Sequence, residues 1–190
     1  MNNLKQAADR LLNEYGLWKL LGEYGEPVIV GSYRMDLMAV NDLDIDISGG
    51  MMTLGRLHEL TGKILDRFDP VWYEAKREFV DGRYVYFHGF ETEVLGKLWN
   101  VDLWFFDRDT IAKAVSDCDE IAEKVSQQPE LRQVILEIKT DLTARGLYRH
   151  DFYTSMDVYD AVLHSNIRGT KQFIEQYKRK GRNETDDSAV

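Results

Sequence analysis

Apolar residues recur every three or four positions at Leu4, Ala8, Leu11, Leu12, Tyr15, Trp18 and Leu21, which predicts an amphipathic helix closed around Gly22 or Gly25. The period then changes. The run PVIVG at 27–31 is β-branched and ends in glycine, and DLDIDI at 42–47 alternates strictly, so both read as strands joined by a tight connection. Residues 53–68 return to helical spacing. Residues 71–79, 84–94 and 97–106 are rich in Tyr, Trp, Phe and Val, with turn-forming Asp81-Gly82 and Gly96 between them, which predicts an antiparallel extension of the sheet.

Beyond Asp107 the texture becomes helical again over 110–125, 131–147 and 154–177. The pattern is therefore that of a mixed α/β (α+β) lobe over 1–107, a helical annex over 108–180, and a loose tail over 181–190, where GRNETDDSAV has almost nothing apolar to bury.

Length and composition support a packed globule. The chain has 190 residues, 44% of them hydrophobic, with only 3 Pro and 14 Gly, which excludes collagen-like and wholly disordered readings. Twenty-four Lys and Arg stand against 33 Asp and Glu, a net charge of −9, which disfavours extended contact with a polyanion and so a long nucleic acid as partner. The single cysteine, Cys118, can form no internal disulfide, so a cytoplasmic location is the simplest expectation. The first 21 residues are too interrupted by charge for a signal peptide or a membrane span, and no membrane association is expected.

The chemistry concentrates in VIVGSYRMDLMAVNDLDIDI at 28–47. In a strand, side chains two apart share a face about 6.6 Å along it, twice the rise of ~3.3 Å. Asp42, Asp44 and Asp46 thus line one face, and Leu43, Ile45 and Ile47 the other. Three anions in a row repel unless a cation offsets them, and Mg²⁺ prefers carboxylate oxygen. Gly31-Ser32, following a strand, offers backbone N–H groups and a hydroxyl to an anion such as phosphate. Asp102, between Val101 and Leu103 in an aromatic strand, is costly in a dry core and is expected to face a polar cleft, where a neighbouring strand would bring it to Asp42 and Asp44.

A hydrophobic strand, Gly-Ser, a spacer, then Asp-hydrophobic-Asp-hydrophobic and a later acid between hydrophobic residues resembles the DNA polymerase β-like nucleotidyltransferase superfamily, especially its minimal and antibiotic-modifying members. The resemblance spans roughly residues 28–106. It implies a mixed sheet flanked by helices, and an enzyme that moves NMP from an NTP, ATP in the first instance, to a hydroxyl-bearing acceptor, either an antibiotic-like small molecule or a protein. It also implies that Asp42, Asp44 and Asp102 are the catalytic carboxylates and hold two Mg²⁺ ions, and that Gly31 and Ser32 hold the β and γ phosphates. Arg34, in the spacer, would contact phosphate as well. Asp102 would be a ligand of the second metal, a base for the acceptor hydroxyl, or both. A frame in which Asp44 and Asp46 form the metal pair also satisfies the motif; Asn41, resembling the small polar residue before the first acid in this family, favours Asp42. The alternative from another class is a noncatalytic nucleotide or metal sensor, or an interaction domain, on the same scaffold.

Alternating Asp and apolar residues also describe a half-exposed strand. A calcium loop would put glycine at its sixth position and glutamate at its twelfth, where this chain has Ile47 and Thr53. His58, His88, His150 and His164 show no zinc spacing and read as surface or packing residues. Cys118, beside Asp117 and Asp119, would have its thiol pKa raised, so it reads as packing and not as a nucleophile. Trp72, Trp99 and Trp104 read as core, and the basic run Lys178-Arg179-Lys180 with Arg182 as a solvated helix end.

Overall fold

The computed structural model describes residues 3–48, 50, 52–149 and 151–177. The expected tail over 181–190, the basic run at 178–182 and His150 lie outside them. Contacts divide the chain into two compact units, residues 1–123 and 124–190.

The first unit opens with α1 (Asn3–Asp9), which continues into a π-helical turn (Arg10–Glu14) and, after a break, α2 (Leu17–Leu21). The single helix expected here is interrupted because Gly16 takes φ +75°, a left-handed conformation that a helix cannot carry. The apolar stripe survives the break: Ala8, Leu11, Leu17, Leu20 and Leu21 are all buried.

Among the described residues, five strands form one sheet in the order β1-β2-β5-β4-β3. β1 (Glu26–Ile29) runs antiparallel to β2 (Asp42–Ser48), and β2 runs parallel to β5 (Lys97–Phe106). β3 (Trp72–Val80), β4 (Arg83–Val94) and β5 are antiparallel neighbours, as the aromatic runs predicted. The connection from β1 to β2 is longer than expected and contains a short helix, α3 (Gly31–Arg34). α4 (Leu54–Phe68) fills the predicted helical segment; the Thr53 hydroxyl caps its start by accepting from the Arg56 N–H, and Asp69 ends it at φ +43°.

Alternation in the strands sorts the two faces of the sheet. Leu43, Ile45, Ile47, Phe90, Trp99, Val101 and Leu103 point to one side, where they bury against α4 and the N-terminal helical segment to make the main core. The other side carries Asp42, Asp44 and Asp102, with Asn100 beside them and the aromatic rings of Phe87 and Trp104 further along.

α5 (Arg108–Gln127) spans the division between the units. The second unit contains α6 (Pro129–Ala144), α7 (Ser155–Leu163) and α8 (Thr170–Gln176). Its core includes Ile135, Ile138, Leu142, Val158 and Phe173, together with a fully buried Lys139 whose Nζ donates to the Tyr159 hydroxyl at 3.2 Å. One helix expected over 154–177 is two, because Asn166 takes φ +54° and Gly169 is extended. No helix among the described residues is long and apolar enough to cross a membrane.

Candidate active site

The parallel pairing of β2 with β5 sets the geometry. It puts Asp44 opposite Asp102 and Asp42 opposite Asn100, while Gly89 of β4 faces Asp102 from the other side. Each row across this sheet face is therefore fixed by backbone register: Asp42–Asn100–Glu91–Trp72, then Asp44–Asp102–Gly89–Glu74, then Asp46–Trp104–Phe87–Lys76.

Carboxylate oxygens of Asp42, Asp44 and Asp102 lie within 4.8 Å of one another, and all three side chains are half-buried. Three carboxylates at that separation repel strongly, and a hard divalent cation is the partner their oxygens suit. The donor set thus fits Mg²⁺. Asp102 shows the stress directly: burial above all, and then the charge of Asp42, push its carboxyl up to about 6, against a hydrogen bond from Asn100 that pulls it down. Glu74 adds to the rise and Lys76 works against it.

Asp46 shares the face but not the cluster. It is 5% exposed, aligned with Val28 and Trp104, and burial lifts its carboxyl to about 6. Of the two frames that the alternation allows, the one that gathers three acids on a cation-sized spot uses Asp42 and Asp44.

Gly31 begins α3 directly after β1, at φ +60°. A Cβ there would fall 2.0 Å from Asp44 Oδ2, so only glycine lets this backbone approach the carboxylate. Ser32, next to it, is buried. Arg34 pairs with α5: its Nε and Nη2 donate to the two carboxylate oxygens of Asp119, at 2.8 and 2.9 Å. The same stretch of α5 carries Cys118, whose thiol is raised by burial while the Gly31 backbone hydrogen bond and Arg34 work against the rise. Cys118 is buried, in keeping with a packing role.

Besides Asn41, two supporting residues were not singled out from the sequence. Asn100 Nδ2 donates to Asp42 Oδ1 at 2.8 Å, fixing the first acid. Asn41 Nδ2 donates to the Leu98 carbonyl at 2.9 Å, and its own carbonyl accepts from the Asn100 N–H at 2.9 Å, tying the start of β2 to β5. Gly89 lies beneath Phe87 and beside Asp102; a Cβ would come 2.8 Å from the Phe87 ring and 3.3 Å from Asp102 Oδ1. Asn100 was findable, being two residues before Asp102 on the same strand face, and glycine inside a strand signals close approach.

No protein-family model matches the chain, and no curated protein matches it in sequence. Solved structures do match in fold. The Cid1 poly(U) polymerase, with Mg and 3′-dATP bound, aligns at TM-score 0.59 and 13% identity over 86% of this chain and 49% of its own. A cytoplasmic RNA terminal U-transferase aligns at 0.60 and 14% over 86% and 48%, and the non-canonical poly(A) polymerase GLD-2, in complex with GLD-3, at 0.57 and 13% over 86% and 58%. The chain spans about half the length of these structures. Its mixed sheet, with two acids on β2 beside a third on β5, has the fold of the DNA polymerase β-like nucleotidyltransferases.

Proposed function

We propose that the chain is a magnesium-dependent nucleotidyltransferase that moves NMP from an NTP, with ATP as the first donor to test, to a hydroxyl of a small molecule or a protein. The observation that carries this reading is the meeting of Asp42, Asp44 and Asp102 at one spot beside a glycine bend, on a fold shared with enzymes of this kind.

Asp42 and Asp44 would hold Mg²⁺ against the triphosphate, and Asp102 would complete the ligand set for a second ion. Bound there, the ions would neutralise the triphosphate and the departing pyrophosphate. Gly31 and Ser32 would seat the β and γ phosphates, with Arg34 reaching phosphate through the part of its guanidinium that Asp119 does not hold. Asp102 would serve as that second-ion ligand, as the base that takes the proton when the acceptor oxygen attacks the α-phosphorus and the bond to the β-phosphate breaks, or as both. The net charge of −9 supports a neutral or cationic acceptor over a polyanionic one, although the aligned structures are of enzymes named for RNA or polynucleotide products.

The experiment is Mg²⁺-dependent pyrophosphate release from each NTP, with an acceptor panel of an amine-rich sugar, a hydroxyl-bearing protein and an RNA 3′ end. Asp44→Asn is expected to abolish release. Equal behaviour of wild type and Asp44→Asn under every condition sinks the enzyme reading, and transfer to RNA alone sinks the acceptor class.

A further inference from the structure

β3 is one of the two edge strands of the sheet, with β4 on one side and no strand on the other among the described residues. It is nine residues long, with a charged centre and exposed apolar side chains at both ends: Val71 is 71% exposed and Phe79 62%, with Trp72 and Tyr73 also exposed. An edge of this length presents a row of backbone N–H and C=O groups to any strand that fits it.

We propose that this edge pairs with β3 of a second copy, antiparallel, about a two-fold axis through Ala75, making one continuous sheet. The partner is chosen by the sequence of the strand itself. A two-fold axis perpendicular to the sheet keeps each residue on its own face, so directly opposed residues must have the same parity, and the axis must pass through a residue position. Centred on Ala75, Glu74 of each copy faces Lys76 of the other, Tyr73 faces Arg77, and Val71 faces Phe79. Opposite charges, an aromatic under a guanidinium and two apolar residues meet, each pair twice. Moving the axis to position 74, 76 or 77 sets two Glu74, two Lys76 or two Arg77 face to face, which like-charge repulsion penalises.

The charges are already arranged for this within one copy. Lys76 Nζ lies 3.2 Å from Glu74 and 3.1 Å from Glu78, so a second copy would extend an alternating row and would not have to bury a lone charge. Arg77 already stacks over the Tyr84 ring at 4.3 Å and stays exposed, leaving it open to Tyr73 of the second copy. This inference stands apart from the proposed chemistry, since it needs only the edge.

Sedimentation equilibrium of the full chain across micromolar concentrations is expected to show a species of about twice 22.1 kDa that dissociates on dilution. Glu74→Lys and Lys76→Glu should each shift the chain to monomer, and the double exchange should restore the dimer. Under mild oxidation Ala75→Cys should form an intermolecular disulfide, whereas Arg77→Cys, which faces Tyr73, should not. A chain that stays monomeric throughout overturns the proposal. So does a dimer that both single reversals leave intact and that Ala75→Cys fails to cross-link.

Discussion

A methyl group at position 31 would sit 2.0 Å from Asp44 Oδ2 on a backbone already at φ +60°. Gly31→Ala therefore meets two costs: a left-handed conformation worth about 1–2 kcal/mol, and displacement of a carboxylate that the proposed site needs. Gly96 separates them, because it takes φ +72° with open space around its Cβ. Gly96→Ala is expected to lower the urea midpoint by a comparable backbone term and leave pyrophosphate release intact, while Gly31→Ala lowers both, release by more than tenfold. A Gly31→Ala chain with full activity would mean that the approach to Asp44 is idle. Asn100 acts at the next remove: with its amide gone, Asp42 loses a 2.8 Å hydrogen bond, so Asn100→Ala should require several-fold more Mg²⁺ for half-maximal release, a shift that a magnesium titration reads directly. The acids themselves were legible from two-residue spacing and family resemblance. Their supports were less so, since the partners of Asp42 and Arg34 lie 58 and 85 residues away along the chain.

Elements were legible where one local force dominates. The strands from 72 to 106 followed from their aromatic and β-branched content and the helix α4 from helical spacing, and the turn residues between the strands fell where expected. Breaks within helices were missed, because the stripe of buried residues continues through Gly16 and Asn166 even where the backbone does not. The parallel pairing of β2 and β5 was invisible for a different reason: register between strands separated by two helical or hairpin excursions is a tertiary outcome. The ends of α4 give an element-scale test. Asp69 ends the helix at φ +43°, where a side chain is strained, so Asp69→Gly should raise stability by about 0.5–1 kcal/mol. Thr53→Ala removes the hydroxyl that accepts from the Arg56 N–H and should cost about 1 kcal/mol. Thermal melts of the two variants should move in opposite directions; melts that move together would mean that the helix ends are not limiting.

At the scale of the whole molecule, buried groups contribute to acid stability with opposed signs. His88 is wholly buried among Tyr73 and Phe90, neither ring nitrogen has a hydrogen-bond partner, and burial lowers its pKa from 6.5 to about 4. The unfolded chain therefore takes up a proton that the folded chain refuses, and stability falls as pH drops from about 6.5 towards 4. Asp46 and Asp102 have the opposite sign. Their pKa values rise from 3.8 to about 6 on folding, so the folded chain takes the proton first, and stability grows as pH drops through 6 towards 3.8. The two contributions overlap and flatten the wild-type profile. Replacing His88 by phenylalanine removes the histidine contribution and also removes two unsatisfied nitrogens from an aromatic setting. In metal-free buffer, His88→Phe is expected to be more stable than wild type, with a margin at pH 4.5 larger than that at pH 7.5 by roughly 2 kcal/mol. Urea midpoints at the two pH values measure it. A margin that does not change with pH would show that His88 finds a partner or water in the folded chain, and that its burial does not govern the acid limb.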